Sequence, residues 1–336
     1  MRKVIRIFFK TLGVLALLII LLGISLFFAI QLPSFQTWLG QKAGTYLSDE
    51  LNNTVTVRSV DLEFFTKANL EGVYISDKNN DTLFQGDLLV DIRKLDYKNQ
   101  KIEFKKITLR NSTAKIVTYK GDSTFNYQFL VDYFDSGVAD TTPKKEWEVK
   151  LGDIYLDSVN LTYRDERKDI RISRNMNFNN LHFAKTSGKF SNIRFEKDTI
   201  FIRLNDLRTI EQSGFTLRNL TADAKISSKE VLLKNLIITT PKTYIKGDVN
   251  FYTNEWGDYS DFVNKVKIKA DLLEDTKVAT EDIATFTSEL NGLKETIYLS
   301  GKVRGYVNDL RLKEFKLKYN EHTRFNGNLT ITGLPD

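Results

Sequence analysis

The chain has 336 residues, no cysteine and a formal net charge of +6. The lack of cysteine excludes a disulfide scaffold, a thiolate metal site and a cysteine nucleophile. Four of the 49 Lys and Arg precede residue 11; the other 45 face 43 Asp and Glu, so no excess remains to neutralise a nucleic-acid backbone, and no nucleic acid is expected as partner.

Those four, Arg2, Lys3, Arg6 and Lys10, flank nineteen uncharged residues, Leu12 to Ile30, of which fourteen are Leu, Ile, Val or Phe. At roughly 0.3–0.6 kcal/mol of favourable insertion energy for each such residue, and about 1.5 Å of helix per residue, this run is long and apolar enough to span a bilayer. A cleavable signal has a shorter apolar stretch and a small-x-small site, whereas Phe27 stands two residues before the only plausible cut at Ala29. Residues 1–31 therefore read as a cytoplasmic tail and a retained single-pass anchor, with Leu12, Leu15, Ile19, Leu22, Leu26 and Ile30 in the membrane. The basic flank places the N-terminus in the cytoplasm and the bulk of the chain outside it.

Residues 32–51 read as an amphipathic helix capped by Ser34, with Phe35, Trp38, Leu39, Ala43, Tyr46, Leu47 and Leu51 on one face. That face could lie on a membrane surface or pack over the end of the following fold. It lacks the Lys and Arg of a surface binder, which favours packing.

From Asn52 the apolar period changes from 3.6 to 2. Val60, Leu62 and Phe64, then Leu88, Val90 and Ile92, then Ile102 and Phe104 alternate with polar residues, and the pattern recurs to Phe325, Leu329 and Ile331. About fifteen half-buried strands are expected, joined by short polar turns such as residues 78–81 and 98–101 and paired antiparallel. Residues 52–134 form a first β segment, ending in a short helix around Phe125 to Phe134. A loop at 135–146 separates it from a second segment, 147–336, which carries a helix near 281–291 that starts after Thr280, buries Ile283, Phe286 and Leu290 and stops at Gly292. Ile107 to Asn111, Phe215 to Asn219, Val231 to Asn235 and Leu310 to Glu314 share an apolar-x-Leu-basic-polar form, read as one strand type reused along an extended sheet. Its apolar side has three solutions: a closed barrel, a sandwich, or a trough open to a ligand.

No catalytic constellation is present. His182 and His322 have no second ligand at metal spacing, and the acidic pairs Asp165–Glu166 and Glu274–Asp275 fall in apparent turns. The Asn-x-Thr triplets beginning at Asn52, Asn111, Asn160, Asn219 and Asn328 read as turn and strand chemistry rather than glycan sites. The chain is not expected to be an enzyme or to hold a metal or other cofactor.

Several stretches carry a resemblance. They are Phe35-Gln-Thr-Trp38-Leu39 after the anchor, Val55-Thr-Val57-Arg-Ser-Val60, Asn69-Leu-Glu-Gly72-Val73-Tyr-Ile75-Ser-Asp77 and Gly121-Asp-Ser-Thr-Phe-Asn126. Near the end, Ile297-Tyr-Leu-Ser-Gly301-Lys-Val303-Arg-Gly305 and Gly333-Leu-Pro335-Asp336 belong with them. Together they resemble the amino-terminal part of an AsmA-like protein of the TamB group. Members of that group are usually several times longer, so the chain is expected to be part of a larger protein. The resemblance implies a mainly β fold, an elongated curved antiparallel sheet anchored in the bacterial inner membrane and crossing the periplasm, with an apolar groove that moves phospholipid toward the outer membrane. A BamA/TamA-like outer-membrane barrel is the implied protein partner. The implied groove lining is Leu88, Val90, Ile92, Ile102, Phe104, Leu156, Leu161, Ile200, Ile202, Val249, Phe251, Ile268 and Leu299. Assembly of outer-membrane proteins by strand docking, and a structural envelope tether, are the alternatives.

Overall fold

The computed structural model describes residues 31–63, 66–135, 148–172 and 174–334. The anchor expectation falls on residues outside these. Among the described residues, no helix is long and apolar enough to cross a membrane.

Helix α1 (Pro33–Leu51) comes first, then strands β1 (Val55–Thr56), β2 (Ser59–Glu63), β3 (Lys67–Ser76), β4 (Thr82–Asp96) and β5 (Lys101–Thr118). After α2 (Gln128–Asp135) come β6 (Glu148–Lys150), β7 (Asp153–Asp165), β8 (Asn180–Glu196), β9 (Thr199–Glu211), β10 (Thr216–Ile226), β11 (Glu230–Thr239) and β12 (Tyr244–Tyr252). A one-turn helix α3 (Phe262–Lys265) precedes β13 (Lys267–Leu272) and β14 (Lys277–Ala279); α4 (Thr280–Ile283) precedes β15 (Thr296–Tyr306), β16 (Asp309–Tyr319) and β17 (Thr323–Thr332).

All seventeen described strands belong to one sheet. Pairing follows the order of the chain from β2 and β1 on β3 at one edge to β17 on β16 at the other, with β6 and β7 sharing the edge of β5, and β13 and β14 together filling the place between β12 and β15. No register among the described residues joins the two edges, so the sheet is open and the barrel solution falls away. The expectation of antiparallel pairing throughout is corrected at one place. β5 pairs in parallel with β6 and β7, because the chain leaves the last residues of β5 and re-enters the sheet at Glu148, beside Lys101 at the start of β5. The sheet thus continues across the expected segment boundary.

The sheet is creased along a line of β-bulges. Asn111, Ser158, Lys185, Asp206, Asn235 and Glu314 have φ between 46° and 59°, as does Gly72 at 59°, and the registers shift beside them. A left-handed conformation costs a non-glycine residue about 1 kcal/mol or more, yet it recurs from strand to strand. Its benefit is geometric: one extra residue per bulge bends the strand while keeping the apolar side chains on one face. Six of these residues donate their backbone N–H to a side chain of the adjacent strand. The acceptors are Asp87 for Gly72 (2.8 Å), Ser187 for Ser158 (3.1 Å) and Asn160 for Lys185 (3.2 Å). Thr221 accepts from Asp206 (3.2 Å), Asp248 from Asn235 (2.8 Å) and Asn328 from Glu314 (2.9 Å). The pentapeptide repeat is this bulge signature at Asn111, Asn235 and Glu314. Asn160, Thr221 and Asn328 of the Asn-x-Thr triplets are its clamps.

Three local expectations are corrected. Leu32, not Ser34, occupies the cap position of α1, with Pro33 following it. The helix expected at 281–291 is two short turns, α4 and a 3-10 turn at Ser288–Leu290, separated by extended Thr287; Ile283 and Phe286 are exposed. The Thr280 hydroxyl meets the backbone of Glu295 instead of capping, and the β-branched Thr285 and Thr287 disfavour continuation. Asp165 lies at the buried end of β7 rather than in a turn.

The expected face of α1 is reversed. The helix does pack over the end of the sheet, but through Gln36, Thr37, Gly40, Gly44 and Ser48, while Trp38, Leu39, Tyr46 and Leu47 are exposed. Gln36 donates from Nε2 to the carbonyl of Leu62 (3.4 Å) and accepts at Oε1 from its N–H (2.7 Å). Thr37 does the same for Val60, and Ser48 for Val55. The helix supplies the bonds a further strand would have made, which shields this edge. Close approach requires the glycines: a Cβ on Gly40 would stand 2.3 Å from Cγ2 of Val60.

Candidate functional site

Directly paired residues in neighbouring strands share a face, so the registers trace the apolar side across the whole sheet. One row runs from Ala68 through Val90, Ile107, Ile154, Phe190 and Leu204 to Ala222, from β3 to β10. A second runs from Ile202 through Ala224, Leu233, Val249, Ala270, Val303 and Leu312 to Leu329, from β9 to β17. Beside it, Ile200, Ile226, Val231, Phe251 and Ile268 continue through Gly305 to Leu310 and Ile331. No charged side chain interrupts these rows. Thirteen strands, about 4.8 Å apart, give an apolar band on the order of 60 Å long.

All thirteen residues expected to line a groove stand on this face. Leu88 and Val90 pair with Leu109 and Ile107, Ile92 with Phe104, and Ile102 with Leu95. Leu161 pairs with Ala114 and Phe183, Leu299 with Leu317. Leu156 is buried, at 9% exposure, and Ile200 reaches 36%; the other eleven are half-buried. The deepest positions follow the bulges: Ser112, Val159, Thr186, Leu236 and Phe315 are all at most 5% exposed. The band is thus driest along its crease and partly open on the flanks.

One rim of the band is bridged. Thr285 accepts the N–H of Met176 (2.7 Å), and Ala284 accepts from Nδ2 of Asn175 (2.7 Å), joining the loop after β7 to the segment after β14. Phe286 of that segment packs edge-on against Phe215 at 5.3 Å between ring centres, with Phe178 at 6.4 Å. At the rim nearer α1, the Asp77 carboxylate is fully buried. It accepts from Oη of Tyr119 (2.6 Å), Nδ2 of Asn126 (3.0 Å) and the N–H groups of Asn79 (2.9 Å) and Asp81 (3.0 Å). Two separate stretches of the resemblance, ending in Asp77 and Asn126, meet here. Burial, and then the acceptor carboxylate of Asp77, push the Tyr119 hydroxyl well above the usual phenol range.

The polar face is of another kind. A hollow of about 530 Å³ lies over β2 to β7 and is lined by Asp61, Lys67, Asp91, Lys106, Arg110 and Asp157, among others. The charges offset one another: Lys105 lies 3.6 Å from Asp91, Arg110 3.9 Å from Asp157, and Lys189 2.8 Å from Asp153. Lys106 sits over the ring of Tyr155 at 4.4 Å. These are pairs of a solvated surface with no nucleophile or unpaired acid and base converging on a point. His182 lies in β8 against the Thr162 hydroxyl (3.0 Å), and His322 is in the exposed turn before β17. Among the described residues no group of three or more His, Asp or Glu is placed to hold a metal ion.

Comparison of the chain with protein-family models, with curated proteins and with solved structures finds no match.

Proposed function

We propose that the chain is an inner-membrane-anchored periplasmic protein that carries phospholipid along the apolar face of its sheet. The observation that supports this most is the pair of uninterrupted apolar rows that together reach from β3 to β17, most of whose larger side chains are half-buried rather than dry. Full burial of a large apolar side chain is worth about 1.5–3 kcal/mol. Half-covered side chains leave about 1 kcal/mol each, on the order of 10 kcal/mol over the thirteen positions, for a ligand that covers them. An acyl chain in water costs about 0.8 kcal/mol per methylene, so a 60 Å apolar band removes much of the barrier to moving it. The bulge crease supports a trough, since aligned bulges curve a sheet.

Carriage along a band requires no catalytic group. The anchor at residues 12–30, the periplasmic location and a BamA/TamA-like barrel as outer-membrane partner belong to the same proposal, on the strength of the sequence and its resemblance. One observation favours a second reading, strand docking during outer-membrane protein assembly. α1 shields the β2 edge with side-chain hydrogen bonds, whereas the ten residues of β17 present an edge that no described element pairs.

The two separate by mutation. Val249→Asp and Val303→Asp place carboxylates in the middle of the band, where the side chains are half-buried. Lipid carriage predicts at least a tenfold loss of phospholipid transfer in cells carrying both, with the sheet still folded. A proline in β17 where the N–H points away from β16 should leave transfer intact. Normal transfer in the double variant, with a defect in the proline variant, would overturn lipid carriage in favour of docking.

A further inference from the structure

Helix α1 is docked by the wrong side for a helix whose apolar residues exist to fill a core. Its buried stripe is Gln36, Thr37, Gly40, Gly44 and Ser48, held to the sheet edge by reciprocal hydrogen bonds. Its opposite side presents Trp38 at 52% exposure, Leu39 at 51% and Tyr46 at 60%. Nothing in the docking of α1 needs these residues, and α2, which approaches the helix, leaves them open.

We infer that this face of α1 lies in the interfacial layer of a lipid bilayer, parallel to its surface. The inference rests on the proposed anchoring of residues 12–30. The chain itself names the occupant: the apolar run ends at Ile30, and only Gln31 and Leu32 precede the helix. Two residues reach at most about 7 Å even when fully extended, so a helix that follows a spanning segment starts within the headgroup layer. A face of Trp, Tyr and Leu suits that layer, where an aromatic ring keeps its polar tip in water and its body in acyl chains. Lys42 is the one basic residue of α1, against Asp49 and Glu50, so binding is apolar rather than electrostatic and zwitterionic lipid suffices. The orientation has a functional consequence. α1 lies on β1 and β2, next to the strands where the first apolar row begins at Ala68 and Val90, so that end of the band opens at the bilayer surface.

The test uses the full chain reconstituted in phosphatidylcholine vesicles whose acyl chains are brominated near the headgroup. Trp147→Phe with Trp256→Phe leaves Trp38 as the only tryptophan. Trp38→Phe with Trp147→Phe leaves Trp256, equally exposed at 55% but placed after β12. Brominated lipid should quench Trp38 several-fold more than Trp256, equally at low and at 0.5 M salt, and Leu39→Glu with Tyr46→Glu should remove most of the difference while the chain still floats with the vesicles. Equal quenching of the two tryptophans in chains that float would overturn this inference and leave the anchor standing. So would quenching of Trp38 that survives the double Glu substitution. A chain that does not float with the vesicles would overturn both.

Discussion

Replacing Asp77 by Ala should loosen two stretches of chain some forty residues apart. The Asp77 carboxylate is fully buried and accepts four hydrogen bonds, two from its own turn and two from Tyr119 and Asn126. Hydrogen bonds to a charged group contribute about 1.5–3 kcal/mol each, but they are not additive, and some donors find other acceptors once the carboxylate is gone. Asn126 keeps the carbonyl of Lys115 (3.1 Å), and Tyr119 is open enough to bind water. About 3 kcal/mol of local stability is therefore lost, a change of roughly 150-fold in local opening. Asp77→Asn keeps the shape and one acceptor and should lose about half as much. Amide hydrogen exchange reads the effect directly. Protection should fall in residues 77–82 and, equally, around Val117 and Asn126, whose N–H groups bond Oδ1 of Asn126 and the carbonyl of Val117. Faster exchange confined to 77–82 would refute the claim that the carboxylate ties the two stretches together.

Two other perturbations follow from single sites. A Cβ on Gly86 would lie 2.5 Å from Cα of Ser112 on the neighbouring strand; Gly86→Ala should lower the melting temperature by several degrees, whereas Gly121→Ala, with open space around it, should change it far less. Arg167 grips the buried Asp165 through Nε (2.8 Å) and Nη2 (2.9 Å) and holds its carboxyl below the usual range. A depressed carboxyl stabilises the fold above its unfolded pKa and loses that contribution as pH falls through the folded value. Thermal melts should therefore separate wild type from Asp165→Asn at neutral pH, and the gap should narrow as pH falls below about 4; a gap that stays constant down to the acid limit of the fold would contradict the assignment.

Much of the sheet is legible in the sequence because alternation at period 2 reports a face directly. The thirteen residues assigned to one side by pattern and resemblance all stand there, even across bulges, since each extra residue sits at a polar, left-handed position such as Asn235 or Glu314. The pentapeptide repeat contained that information. It was visible as a pattern, while its meaning, a bulge rather than a strand end, depended on φ. The pairing of β5 with β7 was not legible, because whether a connection reverses or returns depends on the path through α2 and not on the strands. Nor was the docking of α1. Periodicity identifies two faces of a helix, but an open strand edge selects hydrogen-bonding and small residues over apolar ones, so Gln36, Thr37 and Gly40 faced inward. At 281–291 the apolar spacing of Ile283, Phe286 and Leu290 was outweighed by the backbone preference of Thr285 and Thr287 and by the contacts of Asp282 with Thr240 (2.6 Å) and of Phe286 with Phe215.

The most direct measurement compares two neighbouring positions of β4 in living cells. Val90 pairs with Ala68 and Ile107 in the first apolar row, while Asp91 pairs with Lys67 and Lys106 on the charged face. A photo-crosslinking residue at each position samples the two faces a few ångströms apart. Carriage of phospholipid predicts adducts at Val90 and none at Asp91. Adducts at neither, or equally at both, would contradict an apolar face that holds lipid.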